Sequence, residues 1–342
     1  NVTAFYYDRE IAGLFIIIVE VVSGEDPLMV ENSLDNVINS FIKKGPNSKL
    51  LKTEKTKALA GFIRGIQRIG GFGGKSDLLA TCQTFTGNPD CYRENAAFID
   101  KATTSKMKAT FAKWIDDTPY VLTILPSDKY NINPTDIDRS KGIPYPSDKV
   151  SFKFPDLQTA TLSNGAKVVL AQRSGVPLVE MNFQFNFGYA QESTKELGYT
   201  NFMMDMLNEG TKKYSSLKFD EALDSLGSNL SFGSGLDTSF VSLSSLNSNL
   251  SETLDLAKEA LIHPTFPVNE INRIKKQTLA SIIQEENRPA SIAYRNIGKL
   301  LYGEDHPYGK PLTGSGVSST IEVIVRNDIV DIHKRAINPN NL

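Results

Sequence analysis

The sequence predicts an α+β protein of two similar domains, each a mostly antiparallel sheet with helices packed on one face. Three observations carry that expectation. In "VEMNFQFNF", Val179, Met181, Phe183, Phe185 and Phe187 alternate with Glu180, Asn182, Gln184 and Asn186, the period-two pattern of a strand buried on one face. Long segments elsewhere carry apolar residues at helical spacing. Placing Pro46 on Pro267 sets "PNSKLLKTEKTKALAGFI" over "PVNEINRIKKQTLASIIQ", a faint repeat at an offset of 221 residues, 267 minus 46.

Residues 3 to 8 and 13 to 22 read as two strands around "REIAG". Asp26 then offers an N-cap and Pro27 a first-turn residue. Val30, Leu34, Val37, Ile38 and Phe41 follow as an apolar stripe that ends at Gly45-Pro46. A second helix begins near Ser48 and stops at "GGFGG"; shorter helices cover 75 to 86, 91 to 101 and 104 to 115, and "YVLTIL", Tyr120 to Leu125, reads as a closing strand. Residues 126 to 156 turn to Pro, Asp, Ser, Lys and Asn without hydrophobic period, which marks a linker between a domain over 1 to 125 and one over 157 to 342. In the second domain Asn164-Gly165 signals a hairpin. Helices are expected near 196 to 209 and 216 to 226, a strand pair near 229 to 246, and helices near 250 to 262, 267 to 287, 289 to 301 and 319 to 336.

Composition narrows the function classes. A chain of 342 residues with 40% hydrophobic and 22% charged residues suits two globular domains, and a net charge of −2 draws it toward neither nucleic acid nor an anionic membrane. The most apolar run, Ile11 to Val22, contains Glu20 and is shorter than the roughly 18 to 20 apolar residues of a membrane span. The N-terminus at Asn1 carries no address, and the chain reads as an excised piece. Cys82 and Cys91 match no zinc or redox spacing; the Gly87–Asp90 turn could bring them together, and the sequence leaves their pairing open.

Chemistry concentrates in "GYTNFMMDMLNEGT", Gly198 to Thr211. On a helix, Asn201, Met204 and Asp205 occupy i, i+3 and i+4 and share a face. An H-x-x-E-H helix uses that geometry to hold zinc on two imidazoles, with a glutamate as general base beside the metal-bound water. The stretch resembles the zinc helix of the pitrilysin/insulinase metallopeptidases, roughly G-x-A-H-F-x-E-H-M-x-x-x-G-T. Gly198, Phe202, Met206, Gly210 and Thr211 match, whereas Asn201 and Asp205 replace the histidines and Met204 the base. The family's third ligand, a glutamate just under eighty residues on, falls near Ser281 or Ile282, with Glu285 and Glu286 a turn too late. One carboxylate and one neutral amide do not hold zinc tightly, and a thioether cannot take a proton from water.

The resemblance extends to "RGIQRIGGFGGKSDLLA", the "TATLSNGAKVV" hairpin, "LGSNLSF", "HPTFP", "YGEDHPYGKPLTGS" and "INPNN". It implies the fold shared with mitochondrial processing peptidase and LuxS-like metallohydrolases. Large members have four homologous domains that close as two halves around an unfolded peptide, with zinc only in the first. Residues 1 to 125 would then be the later part of domain two and 157 to 342 most of domain three. The implied function is the non-catalytic middle of a zinc endopeptidase that encloses peptide substrate. No metal or cofactor is implied in this segment, zinc sits in the parent's first domain, and the partners are the parent's other domains. A bacterial periplasm or envelope is suggested by resemblance alone. The alternative is an inactive scaffold or partner-binding homologue.

Other motifs fail on their own requirements. "GGFGGKS" lacks the glycine that a phosphate loop needs at Ile69 and follows a helix rather than a strand; the G-x-G-x-x-G pattern ends on Ser76. His263, His306 and His333 lack metal-ligand spacing; His306 sits in a turn-rich loop, and His333 reads as a complement to a helix dipole. The run Arg273 to Gln277 reads as a solvated helix face.

Overall fold

The computed structural model describes residues 1–7, 12–22, 24–115, 119–124, 156–173 and 175–342. The expected linker over 126 to 156 and the turn at 9 to 11 lie almost wholly outside them. Strands β1 (Val2–Tyr7) and β2 (Leu14–Val19) form an antiparallel ribbon with Val2 opposite Val19 and Tyr7 opposite Leu14. Helix α1 (Pro27–Lys44) starts where the Asp26 carboxylate accepts the Leu28 N–H at 3.0 Å, and α2 (Ser48–Gly65) where Asn47 Oδ1 accepts from Leu50 N at 2.7 Å. α3 (Lys75–Thr86), α4 (Cys91–Asp100) and α5 (Thr104–Trp114) follow. Phe111 of α5 meets Phe41 of α1 at 4.6 Å between ring centroids and Phe15 of β2 at 5.9 Å, which ties ribbon and helices together. Cys82 and Cys91 form a disulfide that joins α3 to α4.

The second part begins with the hairpin β3 (Leu157–Thr161) and β4 (Lys167–Ala171), turned at Asn164-Gly165, where Asn164 Oδ1 accepts the Ala166 N–H at 3.2 Å. β5 (Leu178–Phe185) leads through a short 3-10 turn, Tyr189–Gln191, into α6 (Tyr199–Asp205) and α7 (Ser216–Leu226). β6 (Asn229–Ser234) and β7 (Ser239–Leu246) complete an antiparallel sheet of order β5-β7-β6. α8 (Leu250–Ile262), α9 (Val268–Glu286), α10 (Pro289–Tyr302), α11 (Ser318–Val323) and α12 (Arg326–Ala336) follow. The architecture is α+β. The apolar face of β5 and β7 packs on α6, α9 and α12 around Phe185, Phe202, Met204, Val241, Phe266, Ile282 and Ile329, while Glu180, Asn182 and Gln184 stay exposed on the other face. No helix among the described residues is long and apolar enough to cross a membrane.

Helix α2 docks the first part onto the second. Gly227, at φ +61°, ends α7 so close to α2 that a Cβ there would fall 2.9 Å from the Cβ of buried Ala60. Arg64 donates to the Gly227 carbonyl at 2.6 Å and to Ser244 Oγ at 2.9 Å, and Lys57 pairs with Asp224 at 3.0 Å.

Three expectations need correction. Tyr120 to Ile124 join no strand, and Tyr120 and Ile124 are 90% and 83% exposed; an apolar run becomes a strand only where a ladder receives its N–H and C=O groups. The helix expected over 196 to 209 is only Tyr199–Asp205, because the Glu192 carboxylate caps it at Gly198 and Thr200 and its end tightens into turns from Met206. The last expected helix is two. Asp328 Oδ2 accepts the Val325 N–H at 2.8 Å to start α12 afresh, and Lys275 donates to the carbonyls of Glu322 and Ile324 at the end of α11. This break lets Ile321, Ile324 and Ile329 all reach the core, each no more than 1% exposed.

Candidate functional site

The stretch Gly198–Thr211, expected to be a degenerate zinc motif, contains α6, on which Asn201, Met204 and Asp205 have three different environments. Met204, where the resemblance would place a general base, is 0% exposed in the main apolar cluster. Ile282 of α9, near the expected third ligand, is also 0% exposed in that cluster, while Ser281 beside it is exposed. Where a metal-bound water would need room, the chain supplies thioether and alkyl groups at core packing. Asn201 is half-buried against the loop after α10; a Cβ on Gly314 would lie 2.2 Å from its Nδ2. Asp205 keeps an open side.

Crowding by neighbouring atoms desolvates the Asp205 carboxyl and, with a smaller push from the charge of Glu209, raises its pKa to about 6. Glu209 is itself committed, to Arg273 of α9 and to Ser216 Oγ at 2.8 Å, and Arg273 also holds Glu270 at 2.7 Å. Arg273 is thus turned to Glu209 and Glu270 rather than lying on a merely solvated face. A carboxyl whose folded pKa lies above its unfolded value near 3.8 contributes stability fully present below that value and lost as pH rises through about 6. Asp205→Asn is therefore expected to stabilise the fold above pH 7 by about 1 kcal/mol, solvent on the open side having reduced the full effect, and to do nothing at pH 4. Urea melts of both proteins at the two pH values check this.

The two carboxylates a turn beyond Ile282 serve another purpose. Glu285 Oε2 accepts from Arg295 Nη1 at 2.6 Å and from Ser315 Oγ at 2.7 Å, and Glu286 lies 3.8 Å from Arg295 Nη2. Arg295, buried on α10, also donates to Ser315 Oγ and to the Gly316 carbonyl, each at 2.8 Å. Its planar fork fastens α9, α10 and the loop at 313–316 together. Near the start of α6, Lys310 donates to the carbonyls of Tyr189, Ala190 and Glu192, and Tyr189 OH to that of Leu312 at 2.9 Å. Burial raises the pKa of Glu192, against the hydrogen bonds from Thr200 and Gly198 that favour its charge. Sequence reasoning missed Glu192, Arg295 and Lys310, since single charged residues in polar surroundings carry no local signal.

The histidines stand apart from this helix face in role. His333 Nε2 bonds the Leu261 carbonyl at 2.9 Å and its ring meets Phe266 edge-on at 5.6 Å; burial lowers its pKa, so it favours the neutral form instead of supplying a charge to the helix dipole. His306 stacks on Tyr302, and the His263 carbonyl takes the Lys212 N–H. "GGFGG" is a helix-to-helix turn in which Asp77 Oδ2 accepts the Gly73 N–H at 2.8 Å, so a carboxylate already fills the place of a phosphate. Among the described residues no three His, Cys, Asp or Glu side chains converge as a metal set.

With that geometry in place, the comparisons are specific. Residues 167–315 match the insulinase family, peptidase family M16. An uncharacterized zinc protease of Rickettsia bellii is 23% identical over 186 residues, 54% of this chain and 44% of that protein. The protein of Helicobacter pylori named non-peptidase homolog YmxG is 24% identical over 184 residues, 52% of this chain and 41% of that one. A crystal structure of a protease from Helicobacter pylori superposes with a TM-score of 0.51 at 19% identity, over 55% of this chain and 45% of that one, a likeness of fold alone. The chain spans less than half the length of these relatives. The zinc that some of their names carry does not suit the donors on α6, which offer one amide, one carboxylate and a buried thioether. Residues 167–315 thus match the insulinase family, peptidase family M16, across an α+β unit whose helix α6 carries Asn201, Met204 and Asp205 on one face.

Proposed function

We propose that this chain is a non-catalytic framework segment of a zinc-dependent endopeptidase, binding and orienting unfolded peptide while hydrolysis takes place on another domain of the parent protein. In this reading residues 1–125 are the later part of one family domain, 126–156 a connection, and 157–342 the domain with the degenerate motif. The single observation that carries it is the burial of Met204 and Ile282 in one apolar cluster, at the expected base position and at one of the two positions, Ser281 or Ile282, expected for the third ligand. A segment without metal or base contributes through binding and positioning. The Cys82–Cys91 disulfide fits an oxidising compartment.

The test uses the purified chain and a fluorescent unfolded peptide of about twenty residues, roughly the length that spans a groove when extended. The peptide is expected to bind, shown by a rise in anisotropy, and to stay intact with or without a zinc chelator. Chelator-sensitive cleavage would contradict the reading. Absence of any peptide binding would favour an inactive scaffold instead.

A further inference from the structure

A second concave surface lies beside the 3-10 turn that precedes α6. The loop after α10, the turn between β6 and β7 and the Tyr189–Gln191 turn meet around an open groove of about 510 Å³ lined by Gln191, Asp237, His306 and Tyr308. Its walls are fixed by hydrogen bonds. Tyr189 and Ala190 donate their N–H groups to the carbonyls of Gly235 and Leu236, and Lys310 holds the same turn from the other side. Tyr308 OH donates to Asp237 Oδ1 at 2.8 Å, and Asp237 Oδ2 has no partner among the described residues. His306 Nδ1 accepts the Tyr308 N–H at 3.0 Å, which places the proton of the neutral ring on Nε2.

The aromatic side of the groove is a packed cluster. Tyr302 stacks on His306 at 5.1 Å, and Tyr308 stands edge-on to both at 5.6 and 5.4 Å. Tyr302 and His306 remain largely exposed, so their outer faces are open. The nearby cation, Lys310, is spent on three backbone carbonyls. What is left is a carboxylate oxygen held in place beside exposed π faces, the chemistry that receives a guanidinium or ammonium with an apolar stem.

We infer that this groove is a subsite for a basic side chain, arginine above lysine, of an unfolded peptide. The inference rests on the peptide-binding reading for its biological ligand, but the subsite can be probed without it. Arginine fits better because its plane can lie on the rings while two N–H groups face Asp237.

Two otherwise identical unfolded peptides, one carrying two arginines and one carrying glutamine in their place, are titrated into the native chain at pH 8 by anisotropy. N-acetylarginine amide is titrated separately by calorimetry. The arginine peptide is expected to bind about tenfold tighter than its partner, as a paired cation over an aromatic face allows. Asp237→Asn is expected to erase that difference, Tyr308→Phe to reduce it by freeing the carboxylate, and Glu252→Gln, at an exposed position of helix α8, to leave it intact. Equal binding of the two peptides by the native chain, or an unchanged preference in Asp237→Asn, overturns the subsite while leaving the peptide reading standing. If neither peptide binds but the amide binds native and not Asp237→Asn protein, the subsite stands and the peptide reading falls; if the amide fails as well, both fall.

Discussion

Replacing Met204 by glutamate is expected to destabilise the second part of the chain by about 4 kcal/mol, the scale of burying a carboxyl without a partner plus the loss of packing. Met204 is fully buried among Phe202, Ile282 and Ile329, and none of these can donate a hydrogen bond from its side chain. The new carboxyl would be driven toward its neutral form, so the loss should be smaller at pH 4 than at pH 8. Met204→Leu, which keeps volume and apolarity, is expected to cost under about 1.5 kcal/mol. The family-like triple variant Asn201→His, Met204→Glu, Asp205→His should therefore yield a weakened fold and no peptidase, since Ile282 still offers nothing to a metal. Urea denaturation of the three proteins, with a chelator-controlled cleavage assay on the triple variant, checks this. A stable, chelator-sensitive enzyme would mean that the alkyl packing around α6 yields readily to a metal centre.

Substituting Arg295 by methionine is expected to cost about 3 kcal/mol. The guanidinium holds Glu285, Ser315 and the Gly316 carbonyl at once, and its removal leaves Glu285 with only the Ser315 hydroxyl in a largely buried place. Most of that cost comes from the stranded carboxylate. The double variant Arg295→Met, Glu285→Leu should accordingly recover much of the loss, and a double-mutant cycle by urea denaturation measures the coupling. Arg295→Lys should not rescue, because one ammonium cannot reach all three acceptors in a plane. If the double variant is as unstable as the single, the loop at 313–316 and not the ion pair is what Arg295 supports.

What could be read from the sequence follows from how local each determinant is. The hairpin at Asn164-Gly165, the alternation of β5, the cap at Asp26 and the start of α2 at Ser48 depend on neighbours within four residues, and the structure places these elements within a residue or two of expectation. The chemical character of Asn201, Met204 and Asp205 was legible for the same reason, since helical spacing puts them on one face. That Met204 and Ile282 are sealed in one core was not, because it requires α9 to lie over α6 from nearly eighty residues away. The shortened α6 depends on Glu192, six and eight residues from the N–H groups it takes. The docking of α2 rests on Arg64 reaching Gly227 and Ser244, contacts 163 and 180 residues apart that leave no periodic trace. Tyr120 to Ile124 show the converse error, an apolar β-rich run whose propensity was read without a strand to pair with.

On the proposed reading, the helix face bearing Asn201, Met204 and Asp205 is packed structure and not a metal centre. Incubating the purified chain with zinc, removing free metal by gel filtration and measuring metal and protein together tests it most directly. No more zinc should be retained than on an unrelated control protein, in the native chain and in Asp205→Asn alike. Stoichiometric zinc that survives filtration and is lost in Asp205→Asn would contradict it.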